Sequence, residues 1–352
     1  ASLAGRGAEI SAKGCGSRDT LSYGTRSMEE RDRSMKTTVI IPNYNGKHFL
    51  KKCLESLTKS TVCASIIMVD NGSTDGSCSY VRENFPQVRL LTFPENRGFC
   101  GAVNAGIRAA ETEYIFLLNN DTEVAPDCIG RLEEAMEKDR RIFSAGAKML
   151  SMQEPDKVDT AGDLYSAFGW AYAIGKGKPS GNYITSRRVF SNCAGAAMYR
   201  AEYLKETGLF DEAHFAYLED VDIGYRARIA GYWNVIEPGA VVYHAGSGST
   251  GSRYNTFKIR HSSRNNVYLI YKNMPLLQLL LNLPFLAAGF FIKLLFFALK
   301  GHGKDYAEGL AEGFRMCRTA DARAKKVRFY LCRLGNYVRL QLELWANLFR
   351  RI

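Results

Sequence analysis

From residue 37 to residue 118 the chain alternates short apolar runs with stretches whose apolar positions recur every three or four residues. Residues 37–41 (TTVII) form a β-branched run closed by Pro42, which predicts a buried strand. Over 49–59, Leu50, Leu54 and Leu57 take helical spacing. A second strand is predicted over 65–69, ending in the turn cluster Asp70-Asn71-Gly72-Ser73. A helix over 77–84, a strand over 88–92, a helix over 101–110 and a strand over 114–118 complete the series. Strands alternating with helices imply an α/β class with a mostly parallel central sheet covered on both faces. In such sheets ligands sit beyond the carboxyl ends of the strands. That rule places residues 42–45, 70–73, 96–98 and 119–121 in one cleft.

The second half is less periodic. Residues 151–190 are rich in Gly, Tyr and Ser and predict loops of an acceptor region. Residues 219–230 predict a helix with Gly231 as its C-cap, followed by short strands over 233–236 and 241–243, with His244 directly behind. The first 35 residues are rich in Gly, Ser and charge and have no apolar core of a signal peptide, so 1–35 reads as a disordered leader.

Three clusters carry chemistry. Asn119-Asn120-Asp121 ends a hydrophobic strand in a carboxylate that a hard cation, Mg2+ or Mn2+, would accept as ligand. Taken alone, the same residues make an ordinary Asn-Asp turn. Glu219, Asp220 and Asp222 crowd a helix start, where the helix dipole alone explains part of the acidity. The chemical reading is a general base, assigned to Asp220, with Glu219 and Asp222 supporting the acceptor or the helix. His244, between an apolar strand and a Gly/Ser loop, reaches for the same metal or is structural. The loop 246–252 would close over phosphates, with Arg253 and Lys258 as charge partners.

The stretches VIIPNYNG (39–46), VDNGSTDGS (69–77), ENRGFCGAVNAGI (95–107), LLNNDTEV (117–124), the run 194–231 and YHAGSGS (243–249) occur in that order. In this the chain resembles glycosyltransferase family 2, of the GT-A (nucleotide-diphospho-sugar transferase) fold, and its rhamnosyltransferase-like branch. The resemblance implies inverting, metal-dependent transfer from dTDP-rhamnose or a UDP-sugar to a glycan or lipid-linked glycan, in cell-surface polysaccharide synthesis. It implies that Pro42, Tyr44 and Asn45 line the nucleotide pocket and that Asp70 bonds the pyrimidine. Asn96, Arg97 and Gly98 would lie near ribose and diphosphate, Asn120 and Asp121 would stand at the metal element, and His244 would be a second metal ligand. The family element is often Asp-x-Asp. Here a single carboxylate remains, so the donor diphosphate must supply much of the coordination.

Charge adds a second theme. Of the net +11, a net +8 falls in 315–352, where ten Lys/Arg face only Asp321 and Glu343. Residues 276–299 are the most apolar stretch, about 36 Å long as a helix and enough to cross a bilayer core. Pro284, Lys293 and basic flanks on both sides favour a helix pair broken at Pro284 on the cytoplasmic face of the membrane, peripheral or re-entrant, over a single span or a soluble pair. The resulting division is leader 1–35, GT-A domain 36–272 and apolar/basic membrane-associating helices 273–352. No recognition pattern for nucleic acid accompanies the charge. Nine scattered cysteines without a CxxC pair fit reduced thiols. Two rivals remain at this stage. A sugar nucleotidylyltransferase would want a Gly-rich loop after the first strand, where this chain has Asn43-Tyr44-Asn45-Gly46. A non-catalytic membrane-associated scaffold of the same fold would explain the lost carboxylate at Asn119.

Overall fold

The computed structural model describes residues 35–246 and 255–350. Residues 1–34 of the expected leader lie outside the described residues, as do Arg253 and most of the loop expected over the phosphates. The first half follows the sequence pattern: β1 (Thr37–Asn43), α1 (Lys47–Thr58), β2 (Ser65–Asp70), α2 (Ser77–Asn84), β3 (Arg89–Thr92), α3 (Gly98–Ala109) and β4 (Tyr114–Leu118). Strand alternation explains why β1 is buried on both sides. Val39 and Ile41 face α1 through Leu50, Leu54 and Leu57, while Ile40 faces α3 through Val103 and Ile107.

β5 (Thr122–Val124), α4 (Cys128–Glu137), β6 (Ile142–Ser151), β7 (Val158–Thr160), β8 (Asp163–Tyr165), β9 (Ala171–Ala173), β10 (Arg187–Val189), β11 (Ala196–Arg200), α5 (Ala201–Thr207), α6 (Glu219–Ala230) and β12 (Trp233–His244) follow. The sheet runs β10-β12-β6-β11-β4-β1-β2-β3, with β5 on β12 and β7 on β6. β4, β1, β2 and β3 pair in parallel, as do β6 and β12, and β11 enters antiparallel between the two parallel groups. Two expectations need correction. The stretch 151–190 is not all loop but carries β7 to β10, strands of three residues each, too short to show a period in the sequence. The two strands expected over 233–236 and 241–243 are one strand, β12, whose register shift between Glu237 and Val241 absorbs Pro238 and Gly239.

The chain ends in α7 (Thr256–Asn273), α8 (Leu276–Leu299), α9 (Gly303–Met316), α10 (Ala320–Ala324) and α11 (Leu334–Ala346). α8 runs unbroken through Pro284, against the expected break. Proline removes one backbone hydrogen bond, and the ladder on both sides outlasts that loss. The four buried residues of α8, Gln278, Asn282, Leu286 and Gly289, form one stripe at helical spacing. Gln278 accepts from the Tyr225 hydroxyl (2.7 Å), Asn282 exchanges hydrogen bonds with Gln341 (2.8 Å), and the Gly289 carbonyl accepts from Trp170 (3.1 Å). The outer face is bare leucine and phenylalanine: Leu276, Leu277 and Leu299 are 71%, 69% and 89% exposed. One core of Tyr165, Phe190, Tyr225, Leu269, Leu286, Tyr337 and Leu344 joins these helices to α6 and the sheet.

Candidate active site

The strand tips open into a cleft of about 930 Å³, lined by Pro42 and Asn43 at the end of β1 with Tyr44 and Asn45 after it, Asn71 after β2, Asn96 before α3 and Gly98 at its start, and Asn119, Asn120 and Asp121 after β4. Four clusters separated by up to about 80 residues thus share one wall, because parallel strands bring all their carboxyl ends to one edge. Asn43 ties the wall together: it donates to Asp70 (3.0 Å) and its carbonyl accepts from Asn120 (2.7 Å). Gly46 allows this closeness, since a Cβ there would run into Asn120. Asp70 is buried and accepts from Asn43 and from the Ser73 backbone (3.0 Å), so it does not itself line the cleft. Asn71 holds the next turn, donating to Asn96 (2.8 Å) and accepting from the Arg97 backbone (2.8 Å). The Arg97 side chain lies over Phe93 at 4.6 Å and is not among the residues that line the cleft, while Tyr44 lines it half-exposed.

β5 pairs antiparallel with the end of β12, with His244 opposite Thr122. That register sets His244 Nε2 3.4 Å from the Asp121 carboxylate. On its other side, His244 Nδ1 meets Asp159 of β7 at 2.9 Å, and Asp159 also pairs with Lys176. Burial disfavours the imidazolium, but bonds from Asp121 and Asp159 overcome it and raise the His244 pKa to about 9. Burial likewise opposes ionisation of Asp159, and the bonds from His244 and Lys176 nevertheless hold it at about 2. Among the described residues no set of three acidic, His or Cys ligands gathers around one point.

The loop before α6 is strained. Phe215, Tyr217 and Leu218 have φ of 62°, 72° and 64°, unfavourable for side chains with a Cβ. Asn265 of α7 pins it, donating to the carbonyls of His214 (2.9 Å), Ala216 (2.8 Å) and Tyr217 (2.8 Å), and Arg264 adds a bond to His214 (2.8 Å). Gly98 is required beneath it: its φ is 74°, and a Cβ would sit 2.6 Å from Phe215. The loop delivers Asp220, half-buried, whose carboxylate accepts from the Val221 backbone (2.7 Å) and from the Ala194 backbone. The next residue, Gly195, accepts from the Asn119 backbone (2.9 Å), so Asp220 sits at the same sheet edge as the Asn119–Asp121 turn. Burial pushes the Asp220 carboxyl up to about 6 against those backbone bonds. Half-buried Asp163, with one buried carboxylate oxygen lacking a partner, has its pKa raised first by desolvation and then by the charge of Asp220. Glu219 is pushed up to about 8 by burial and then by Asp220.

Asp222 is different. Fully buried, it meets Arg226 (2.9 Å), Lys272 (2.9 Å) and Asn273 (2.7 Å) and has no face toward an acceptor; it holds α6 against α7. Lys258, expected near donor phosphates, lines a neighbouring cavity instead. Sequence reasoning assigned no role to Asn43, Asp159, Asp163 or Asn265. Nothing local marked Asp159, whose strand is too short to show a period, or Asn265.

The pattern of the family described as glycosyl transferase family 2 matches residues 38–208. The N-acetylglucosaminyl-diphospho-decaprenol L-rhamnosyltransferase of Mycobacterium tuberculosis is 27% identical over 259 residues, 66% of this chain and 83% of that protein. In fold, the chain is similar to GalNAc-T7, solved with UDP, GalNAc and Mn2+ (TM-score 0.55, 18% identity), over 68% of this chain and 48% of that longer one. It is also similar to the mannosyltransferase PcManGT of Pyrobaculum calidifontis, solved with GDP-Man and Mn2+ (TM-score 0.50, 18% identity), over 88% of this chain and 84% of that one. Cleft, strained loop and sequence pattern agree: the chain is a glycosyltransferase, and residues 38–208 are its glycosyl transferase family 2 domain.

Proposed function

We propose that the protein transfers a hexose or deoxyhexose, with inversion, from a pyrimidine nucleoside diphosphate to a lipid-linked glycan. The observation that carries this reading is the meeting of Asp121 and His244 beside the cleft, at the sheet edge that also presents Asp220. The pair fits a divalent cation. Asp121 offers an oxygen, and Asp159 occupies His244 Nδ1 and leaves Nε2 as the donor nitrogen. Mg2+ or Mn2+ bound there would neutralise charge on the departing diphosphate. With only two protein ligands, such a cation would depend on the donor diphosphate for further oxygen ligands.

The remaining work falls to the chain. Tyr44, Pro42 and Asn45 take the nucleotide at the mouth, and Asp70 reaches the pyrimidine by giving up one of its present bonds. Asn96, Gly98 and Asn120 face the ribose and diphosphate. Asp220 accepts the proton of the acceptor hydroxyl as its oxygen attacks the anomeric carbon, and the nucleoside diphosphate leaves from the opposite face. A carboxyl raised to about 6 is a stronger base than an ordinary one and stays ionised at neutral pH. Glu219, kept protonated by the same burial, holds the acceptor side of the loop.

The name of the mycobacterial relative, an L-rhamnosyltransferase acting on a diphospho-decaprenol, supports a lipid-linked acceptor here. So does α8, whose polar residues face inward and whose outer face is apolar, the reverse of a water-facing helix. Its inner stripe packs on the catalytic core along its length, so α8 lies in the cytoplasmic leaflet rather than crossing it, and residues 273–352 serve as the membrane-associating region. Asp220→Asn should lower transfer by about 10²- to 10⁴-fold while leaving donor affinity within a few-fold. Equal loss of both, measured by turnover and by nucleotide-sugar titration, removes Asp220 from its role.

A further inference from the structure

A second cavity, about 270 Å³, lies on the far side of Tyr217, which lines both it and the cleft. Its walls are the base-bearing loop (Tyr217, Leu218), α7 (Lys258, Ser262, Asn266) and the inner side of α8 (Lys293, Phe297), with Tyr306 of α9 behind. Lys293 extends the buried stripe of α8, since 289 to 293 is one helical step, and its ammonium stands 5.7 Å from the centre of the Trp170 ring. No carboxylate pairs with Lys293 among the described residues, and burial alone lowers its pKa, to about 8. Tyr306 is 3% exposed and its hydroxyl has no hydrogen-bond partner. Lys258 is half-buried and close enough to Lys176 for the two charges to repel. The cavity therefore gathers positive charge, an unpaired ammonium included, at the point where the catalytic loop meets the apolar helix.

We propose that this cavity binds the phosphate or diphosphate that joins an acceptor's sugar to its lipid, with Lys293 and Lys258 as its cations. The placement is ordered as such a molecule is ordered. The sugar would lie toward Asp220 past Tyr217, the phosphates against the two lysines, and the hydrocarbon along the exposed leucines of α8. The inference rests on the lipid-linked acceptor proposed above and specifies where its charged link is held. It also gives Lys293 a reason to sit inside an apolar helix, where an unpaired ammonium is costly.

The test uses the full chain in phosphatidylcholine nanodiscs and follows binding of undecaprenyl diphosphate, with phosphatidylglycerol and inorganic pyrophosphate as separate arms. Lys293→Met keeps the helix apolar and is expected to weaken undecaprenyl diphosphate binding by roughly tenfold or more, with Lys293→Arg restoring most of it. Lys258→Gln should act in the same direction. Unchanged affinity in Lys293→Met overturns the proposal. So does a Lys293 dependence that appears equally with phosphatidylglycerol, which would make the cavity a general lipid-headgroup site. Nucleotide-sugar hydrolysis by the unmodified protein reads the catalytic proposal independently: hydrolysis without Lys293-dependent lipid binding sinks only this inference, and the reverse pattern sinks only the catalytic one.

Discussion

Two neighbouring regions of the molecule bury acidic side chains and treat them in opposite ways. At the start of α6, Glu219, Asp220 and nearby Asp163 meet no cation among the described residues, and burial raises all three. Two residues further along the same helix, Asp222 meets Arg226 and Lys272, and Asp211 meets Lys272 (2.8 Å) and Lys325 (3.0 Å). Burial opposes ionisation there too, but the neighbouring ammonium and guanidinium charges prevail, and both carboxyls fall well below the usual range. The lesson is that burial alone does not make a base. What distinguishes Asp220 is that no cation among the described residues offsets its burial, at the helix start that follows the loop Asn265 keeps strained.

The largest test of the contrast is on stability. Asp222→Asn leaves Lys272 and Arg226 buried with half their compensation gone, and should cost about 3–5 kcal/mol in urea unfolding. Asp220→Asn, in the same assay, should stay within about 1 kcal/mol of the unmodified protein. Comparable losses would dissolve the distinction between the two regions.

How much of this was readable beforehand depends on the range of the contacts. The cleft wall was legible because each of its clusters follows a strand directly, and local order sufficed to place Tyr44, Asn96 and Asp121 together. The Asp121–His244 junction was legible only as a coincidence of residue types; the pairing of β5 with β12 that creates it is three residues long. Asp159 escaped because it meets His244 across 85 positions, and Asn265 because an Asn inside a helix has no local signature. The same limit explains α8. Composition announced an apolar helix, but only packing reveals that Gln278, Asn282 and Lys293 share its inner side.

A smaller effect sharpens the comparison from the metal side. Asp159, partly buried, is an acid of the second kind, stabilised by partners, and on the function proposed above it orients His244. Asp159→Asn should weaken Mn2+ binding by roughly 10- to 100-fold, read by calorimetry in the presence of UDP and without turnover. Binding unchanged by the substitution would mean that His244 needs no orienting partner, or that the cation is held elsewhere.

The smallest effect is on pH, and it runs in opposite senses in the two regions. Asp211 and Asp222, depressed in the fold, contribute stability above the ordinary carboxylate pKa, which is lost as acid protonates them. Asp220 is raised from 3.8 to about 6, so its protonated form stabilises the fold below pH 4, and that contribution disappears as pH rises through 6. Asparagine does not titrate. The melting temperature of Asp220→Asn should therefore match the unmodified protein near pH 4 and exceed it at pH 7, by the equivalent of about 1 kcal/mol once solvent screening of a half-buried carboxylate is allowed for. Transfer by the unmodified protein should fall about tenfold per pH unit below 6, over the same interval, because the proton that stabilises the fold is the one that disables the base. If the acid limb of transfer does not set in near pH 6, where the stability difference reaches its plateau, some other group is the one being titrated.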